Sequence, residues 1–202
     1  MQCSLLAIRM VKKVKAIFLD VDGVLNSEHW YKKNHKKHPE RCRVETAIDP
    51  RFVRNLKKII DKTGAKIVLS ATCRGTVKQK RNHYLRTILK QYDLEIYDYT
   101  PNTGMEKGID IQEWLNHHRD VTNIVILDND SDMCHLMEYL VKTKCQSYIK
   151  IKDKWHKVRI PFWWYFNEGL CNKKVKQAIR MLNKPFENKM EKQITGSVRK
   201  LF

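Results

Sequence analysis

Four short apolar runs stand out along the chain, at Val14–Val21, Ala65–Ser70, Asn123–Asp128 and, more weakly, Ser147–Ile151. Runs of this length without polar alternation read as strands buried on both faces, hence as members of a parallel sheet. Glu95–Tyr99 is a fifth candidate. Between the runs, apolar positions recur at helical spacing. Phe52, Val53, Leu56, Ile59 and Ile60 share one face of a helix that starts near Pro50 and stops at Gly64. Leu85, Ile88 and Leu89 mark a second helix, and Ile111, Trp114 and Leu115 a third. Met133, Leu136, Met137 and Leu140 mark a fourth, and Val175, Ala178, Ile179 and Leu182 a fifth. Strands alternating with helices predict an α/β fold, a Rossmann-like three-layer sandwich with a mostly parallel central sheet and helices on both faces. Ligands of such sheets lie beyond the carboxyl ends of the strands.

Two segments break the alternation. Residues 26–48 carry Lys32, Lys33, Lys36, Lys37, Arg41 and Arg43 with one acid, Glu40, between them and few apolar anchors, so they read as a long basic loop or a minimal cap. The basic segment 183–202 reads as a tail in which the last helix frays into disorder. The domain proper is then 14–182, with at most a minimal cap.

Composition narrows the class. At 202 residues with 42% hydrophobic and 31% charged positions, the chain is too apolar for disorder and too charged for a membrane protein. No uninterrupted apolar run reaches the roughly 18 residues that span a bilayer. The apolar start, Ser4 to Met10, is interrupted by Arg9 and lacks a preceding basic segment and a cleavage site, so it does not read as a signal peptide. The net charge of +18 speaks about partners rather than fold and favours polyanions, nucleic acid above all. Cys3, Cys42, Cys73, Cys134, Cys145 and Cys171 form no C-x-x-C pair and no disulfide-framework spacing, which reads as free thiols in a reducing cytoplasm.

Against that cationic background, the positions of the acids are the informative feature. The first run ends in Asp20-Val21-Asp22-Gly23, the third in Asp128-Asn129-Asp130-Ser131-Asp132. In a parallel sheet both clusters emerge at one edge, where the carboxylates repel. Helix capping accounts for one acid per cluster, not two or three. A hard divalent cation accounts for the set, since Mg²⁺ takes one or two carboxylates together with waters and substrate phosphate. An EF-hand is excluded. Met133 stands where that loop needs glycine and Tyr139 where it needs glutamate.

The stretch from Asp20 to Asn26 resembles the first motif of the haloacid dehalogenase superfamily of phosphohydrolases. Ser70 after Ile67-Val68-Leu69 resembles its second motif, Lys107 before Gly108-Ile109-Asp110-Ile111 its third, and Asp128 with Asp132 its fourth. More narrowly, Ser70-Ala71-Thr72-Cys73-Arg74, the helix after Lys107 and Asn167-Glu168-Gly169-Leu170 look like the phosphatase domain of multi-part RNA-repair proteins. The resemblance implies a phosphatase that works through an aspartyl-phosphate. Asp20 is the nucleophile. Asp22 is the general acid, then the general base. Ser70, Lys107 and Arg74 bind phosphate. Asp20, Asp22, Asp128 and Asp132 serve Mg²⁺. Asn129 stands where many relatives carry a second adjacent aspartate, which leaves Asp130 or Asp132 to complete the metal site.

Plainer roles compete for the lesser members. Ser70 also fits a helix cap, Lys107 a solvated surface and Arg74 an ion pair with an acid. His29, His35 and His38 read as solvated. Trp155 and the aromatic run Phe162–Phe166 fit packing better than base stacking. With +18 and little room for a cap, the expected substrate is a terminal phosphate on nucleic acid. The alternatives are a phosphatase of nucleotides or other small phosphate esters, and an inactive phosphatase fold that serves as a nucleic-acid-binding module.

Overall fold

In the computed structural model, residues 13–26, 30, 31, 34, 37, 48–70, 76–143, 148–151, 154–157 and 169–187 are described, with side chains excluded at 76–82 and 148–157. Most of the basic loop, Arg74, the aromatic run at 162–166, and the chain beyond Glu187 lie outside these residues.

The predicted α/β architecture is present. Strands β1 (Val14–Leu19), β2 (Lys66–Leu69), β3 (Ile96–Tyr99), β4 (Val121–Asp128) and β5 (Leu140–Lys142) form one sheet in the order β3-β2-β1-β4-β5, every pair parallel. Helices α1 (Pro50–Thr63), α2 (Thr76–Lys90), α3 (Lys107–His117) and α4 (Asn172–Leu182) connect or follow the strands.

Period-2 alternation along the strands builds a core on each face. Ile17, Leu19, Ile67, Leu69, Val125 and Leu127 point to the side covered by α1, α2 and α4. Ala16, Phe18, Val68, Ile124 and Ile126 point to the side covered by α3. There Phe18 meets Trp114 edge-on, with ring centroids 5.3 Å apart. The chain leaves β1 toward β2 and β3, then returns to its other side as β4. The reversal of strand order therefore falls between β1 and β4, the position where open α/β sheets form a crevice.

Helix α1 shows how local chemistry sets a boundary. Asp49 caps it, its carboxylate accepting from the Arg51 amide at 2.9 Å, and Pro50 supplies a preset φ at the first helical position. Phe52, Val53, Leu56 and Ile59 are buried, and Gly64 stops the helix in the left-handed region at φ 68°.

Two expectations need correction. The fourth helix is instead a 3-10 turn, Cys134–Tyr139, that runs straight into β5. At three residues per turn, Met133 and Leu136 face inward together while Met137 is left 45% exposed. Leu140 then pairs with Ile126 as a strand residue. The run Ser147–Ile151 does form a strand, β6 (Tyr148–Ile151), but it pairs antiparallel with β7 (Lys154–Lys157) in a separate two-stranded ribbon. The described start of the tail is neither helical nor detached. The Phe186 amide donates to the Thr122 carbonyl at 2.7 Å, and its ring packs against Tyr139.

Asp49 is fully buried and also pairs with the Arg51 guanidinium, at 2.6 Å. Asp49→Ala is expected to cost about 1–2 kcal/mol in urea unfolding, with Asp49→Asn losing less than half of that because the cap acceptor survives.

Candidate active site

The site lies at the carboxyl edge of the sheet, on the crevice between β1 and β4. Asp20 is the residue after β1 and Asp128 the last of β4, and both are buried. The Asp20 amide continues the ladder, donating to the Leu127 carbonyl at 3.0 Å, so the two strand ends are held side by side. Lys107, the first residue of α3, is also buried and reaches between them. Its Nζ lies 2.9 Å from Asp128 Oδ2, 3.4 Å from Asp20 Oδ1 and 3.8 Å from the exposed Asp130 Oδ2. The solvated reading of Lys107 is thus displaced by a buried one.

Gly108 explains how α3 comes so close. A Cβ there would stand 2.4 Å from the Met133 carbonyl carbon and oxygen. Without one, the Gly108 amide donates to the Asp132 carbonyl at 3.0 Å, and the Asp132 carboxylate sits by the Lys107 amide at 3.4 Å. The helix start thereby approaches the second acid cluster backbone to backbone.

The charges follow from burial. Desolvation, then the Asp128 charge, push the Asp20 carboxyl up to about 7 despite the nearby ammonium. Burial also raises Asp128, opposed by the Asp130 amide, which donates to its Oδ1 at 2.8 Å, and by Lys107. Burial alone would lower Lys107, but Asp20 and Asp128 outweigh it and hold the ammonium above its usual range.

Asp22 takes a different place. It is exposed on the turn that follows, where Gly23 has φ 76° and the Asn26 side chain closes the loop. The Gly23 amide donates to Asn26 Oδ1 and Asn26 Nδ2 donates to Asp22 Oδ1, both at 2.7 Å. Ser70 follows β2, its amide bonded to the Leu19 carbonyl at 3.0 Å. Its buried Oγ has no hydrogen-bond partner among the described residues, and residues 71–75, where a helix cap would act, lie outside them. Arg74 lies outside the described residues.

The structure therefore brings Asp20, Asp128, Asp130 and Lys107 together and sets Ser70, Asp22 and Asp132 on the adjoining strand end, turn and helix start. Among the described residues, no three ligating side chains already form a closed metal cluster. The donor chemistry nevertheless fits a hard divalent cation. All the candidates are oxygens, the buried pair repels, and Asp132 Oδ1 is buried without a hydrogen-bond partner among the described residues. Asp20, Asp128 and Asp132 would hold it.

A family model described as the HAD domain in Swiss Army Knife RNA repair proteins matches residues 16–153. The chain belongs to that family of HAD domains. Membership implies a phosphatase-type hydrolase, of a class that is generally metal-dependent. Neither the curated proteins nor the solved structures yield a match. The HAD match begins at Ala16, in the strand that delivers Asp20, and runs past Asp132, so it spans every strand of the main sheet.

Two features of this HAD site escaped the sequence reading. Asn26 lies within the first motif, and its role in holding Asp22 is visible only in the folded turn. Thr143 is buried next to Asp128, its amide donating to the Asp128 carbonyl at 2.7 Å, with Oγ1 lacking a partner among the described residues. Only a correct assignment of β5 would have placed it at a strand end.

The raised Asp20 pKa has a consequence for stability. An Asp whose folded pKa is about 7 against an ordinary 3.8 stabilises the fold while protonated, and that contribution is lost as pH rises through this window. Asp20→Asn carries no such loss. In chelator, its melting temperature is expected to exceed that of the wild type above about pH 7, the difference closing as pH falls toward 3.8. Thermal melts across pH check the direction.

Proposed function

We propose that this HAD domain is a Mg²⁺-dependent phosphatase that forms an aspartyl-phosphate on Asp20 and removes terminal phosphate from nucleic acid. The observation that carries the reading is the pair of buried carboxylates, Asp20 and Asp128, sharing the Lys107 ammonium at adjacent strand ends.

Hydrolysis of a phosphate monoester divides into two steps on these residues. The Asp20 carboxylate attacks phosphorus and the bond to the ester oxygen breaks, while Asp22 donates its proton to the leaving oxygen. Asp22 then takes a proton from water, whose oxygen attacks phosphorus and releases inorganic phosphate, restoring Asp20. Asn26 holds the Asp22 carboxyl on its turn through both steps. Lys107 offsets the repulsion between the anionic nucleophile and the phosphate, and the unpartnered Ser70 Oγ donates to a phosphoryl oxygen. Arg74 joins them by its place in the second motif. Asp20, Asp128 and Asp132 would hold Mg²⁺, which would supply positive charge beside the nucleophile and the phosphate. Exposure of Asp22 suits a substrate that remains largely outside the site. The +18 charge and the family description point that substrate toward nucleic acid.

The test is phosphate release from phosphorylated oligonucleotides and from small esters, with and without Mg²⁺. Asp20→Asn is expected to reduce turnover by about 10³-fold or more; retention within about tenfold, a barrier change near 1.4 kcal/mol, would remove the nucleophile assignment.

Asp128→Ala should abolish turnover, and EDTA should silence the wild type until Mg²⁺ is returned. Full activity in EDTA would show that the acids serve no metal. Faster turnover of small esters than of oligonucleotides would favour the small-ester alternative.

A further inference from the structure

The described helices divide by charge. Helices α1 and α4 pack together over one face of the sheet. α1 carries five basic residues against the single acid Asp61, and α4 carries four against none. On the opposite face, α3 carries Lys107, held in the active site, against Asp110 and Glu113. The cationic excess of these three helices thus sits on the α1–α4 side.

Both helices also begin beside the catalytic turn. The Asp49 amide donates to the Leu25 carbonyl at 2.9 Å, and the Leu170 amide to the Val24 carbonyl at 3.0 Å. Two short chain connections therefore tie the helix starts to the Asp22–Asn26 turn. Between the starts lies a cleft of about 300 Å³, lined by Arg51, Arg54 and Lys58 from α1 and by Cys171 and Asn172 from α4. Asn55 spans it. Its Nδ2 donates to the Leu170 carbonyl at 2.8 Å, and its Oδ1 accepts from Lys58 Nζ at 3.1 Å.

The cations here differ in what already holds them. Arg51 is tied to the capping Asp49. Arg54 and Lys58 are exposed, and among the described residues no acid pairs with either. α4 starts at Cys171 with no side-chain cap and no acid in its first turn, so no side chain of that turn balances the positive end of its dipole. Two unneutralised cations and an open helix start, joined to the turn that carries Asp22, make an anion subsite on the active-site edge. The band of positive charge continues down both helices, which suits a chain of phosphates rather than one small anion.

We propose that the α1–α4 cleft is a phosphodiester subsite, which holds a backbone phosphate of the single strand whose end enters the active site. The proposal rests on the phosphatase reading for where that end goes, but not for binding itself. Contacts of this kind are indifferent to base sequence and steeply dependent on salt.

The test compares two double variants by fluorescence anisotropy with a short labelled single-stranded RNA at several salt concentrations. Arg54→Ala with Lys58→Ala empties the cleft of its free cations and leaves the Arg51–Asp49 pair in place. Lys66→Ala with Lys90→Ala removes the same charge from exposed positions at the start of β2 and the end of α2, on the opposite edge of the sheet. The cleft variant is expected to bind about tenfold more weakly at low salt and to lose roughly 1.4 from the log–log salt slope, about 0.7 for each phosphate contact on a single strand. The opposite-edge variant should show well under half of either effect. Equal losses in the two variants, or none in the cleft variant, would overturn the subsite. Thermal melts of both confirm that folding is intact. Turnover of p-nitrophenyl phosphate by the wild type tests the phosphatase reading separately. A wild type that binds RNA through the cleft yet releases no phosphate would overturn that reading and leave the subsite standing.

Discussion

A single buried ammonium governs the architecture of this HAD domain. Lys107 reaches the ends of two neighbouring strands and is neutralised there by Asp128 and Asp20. Burying three charged groups costs several kcal/mol per ion and is recovered only where partners and geometry are good. Here each is placed by a different element, Asp20 by β1, Asp128 by β4 and Lys107 by α3. Removing Lys107 leaves two buried carboxylates without a counter-charge in a dry setting. The positions of β1, β4 and α3 are therefore mutually constrained by electrostatics as well as by packing. Gly108 makes the constraint attainable, because only a residue without a Cβ lets the helix start reach the Asp132–Met133 backbone.

The cluster is not internally relaxed. Lys107 gains from its partners, whereas Asp20 remains harder to ionise than an ordinary aspartate. One cation between two buried carboxylates leaves excess negative charge, and Asp130 and Asp132 add to it at the rim. A site that is over-supplied with carboxylate and under-supplied with cation is arranged to receive positive charge. The remainder of the sheet tolerates this because residues 16–19 of β1 and 124–127 of β4, directly below, are buried, with Phe18, Ile126 and Leu127 among the largest enclosed side chains. Local electrostatic consistency is given up at the edge of a core that is otherwise consistent, a combination typical of functional sites.

Legibility of the sequence followed how many independent signals converged on a segment. Helix α1 had a capping aspartate, a proline at its start, an apolar face and a terminating glycine, and both its boundaries were readable. The acid clusters were readable for a similar reason: each follows a buried strand directly, so their shared edge was a consequence of parallel topology. The segment from Met133 to Leu140 carried one signal only, an apolar spacing that a 3-10 turn followed by a short strand satisfies as well as an α-helix. Strand β5 is three residues long and offered no run of its own. Its absence from the sequence reading hid Thr143. The Asn26–Asp22 contact was hidden for another reason. A side chain that folds back over a four-residue turn leaves no periodic trace, and only coordinates reveal it.

The charge of the chain takes on a definite meaning once the faces are separated. A net +18 spread evenly would surround an acidic site with cations and would favour any polyanion in any orientation. The described helices do otherwise: α3 delivers its lysine to the carboxylates and is acidic elsewhere, while α1 and α4 place their cations on the far face. Short-range attraction at Lys107 and longer-range attraction along α1 and α4 are thus carried by different elements. The first acts over a few ångströms in a desolvated site, where salt screens it little. The second acts across an exposed surface within a Debye length of about 8 Å at physiological ionic strength. The two fields meet where both helix starts are bonded to the turn that follows Asp20. On the proposed subsite, an anionic chain drawn along the exposed face would be delivered, at its end, to the place where the buried charges stand.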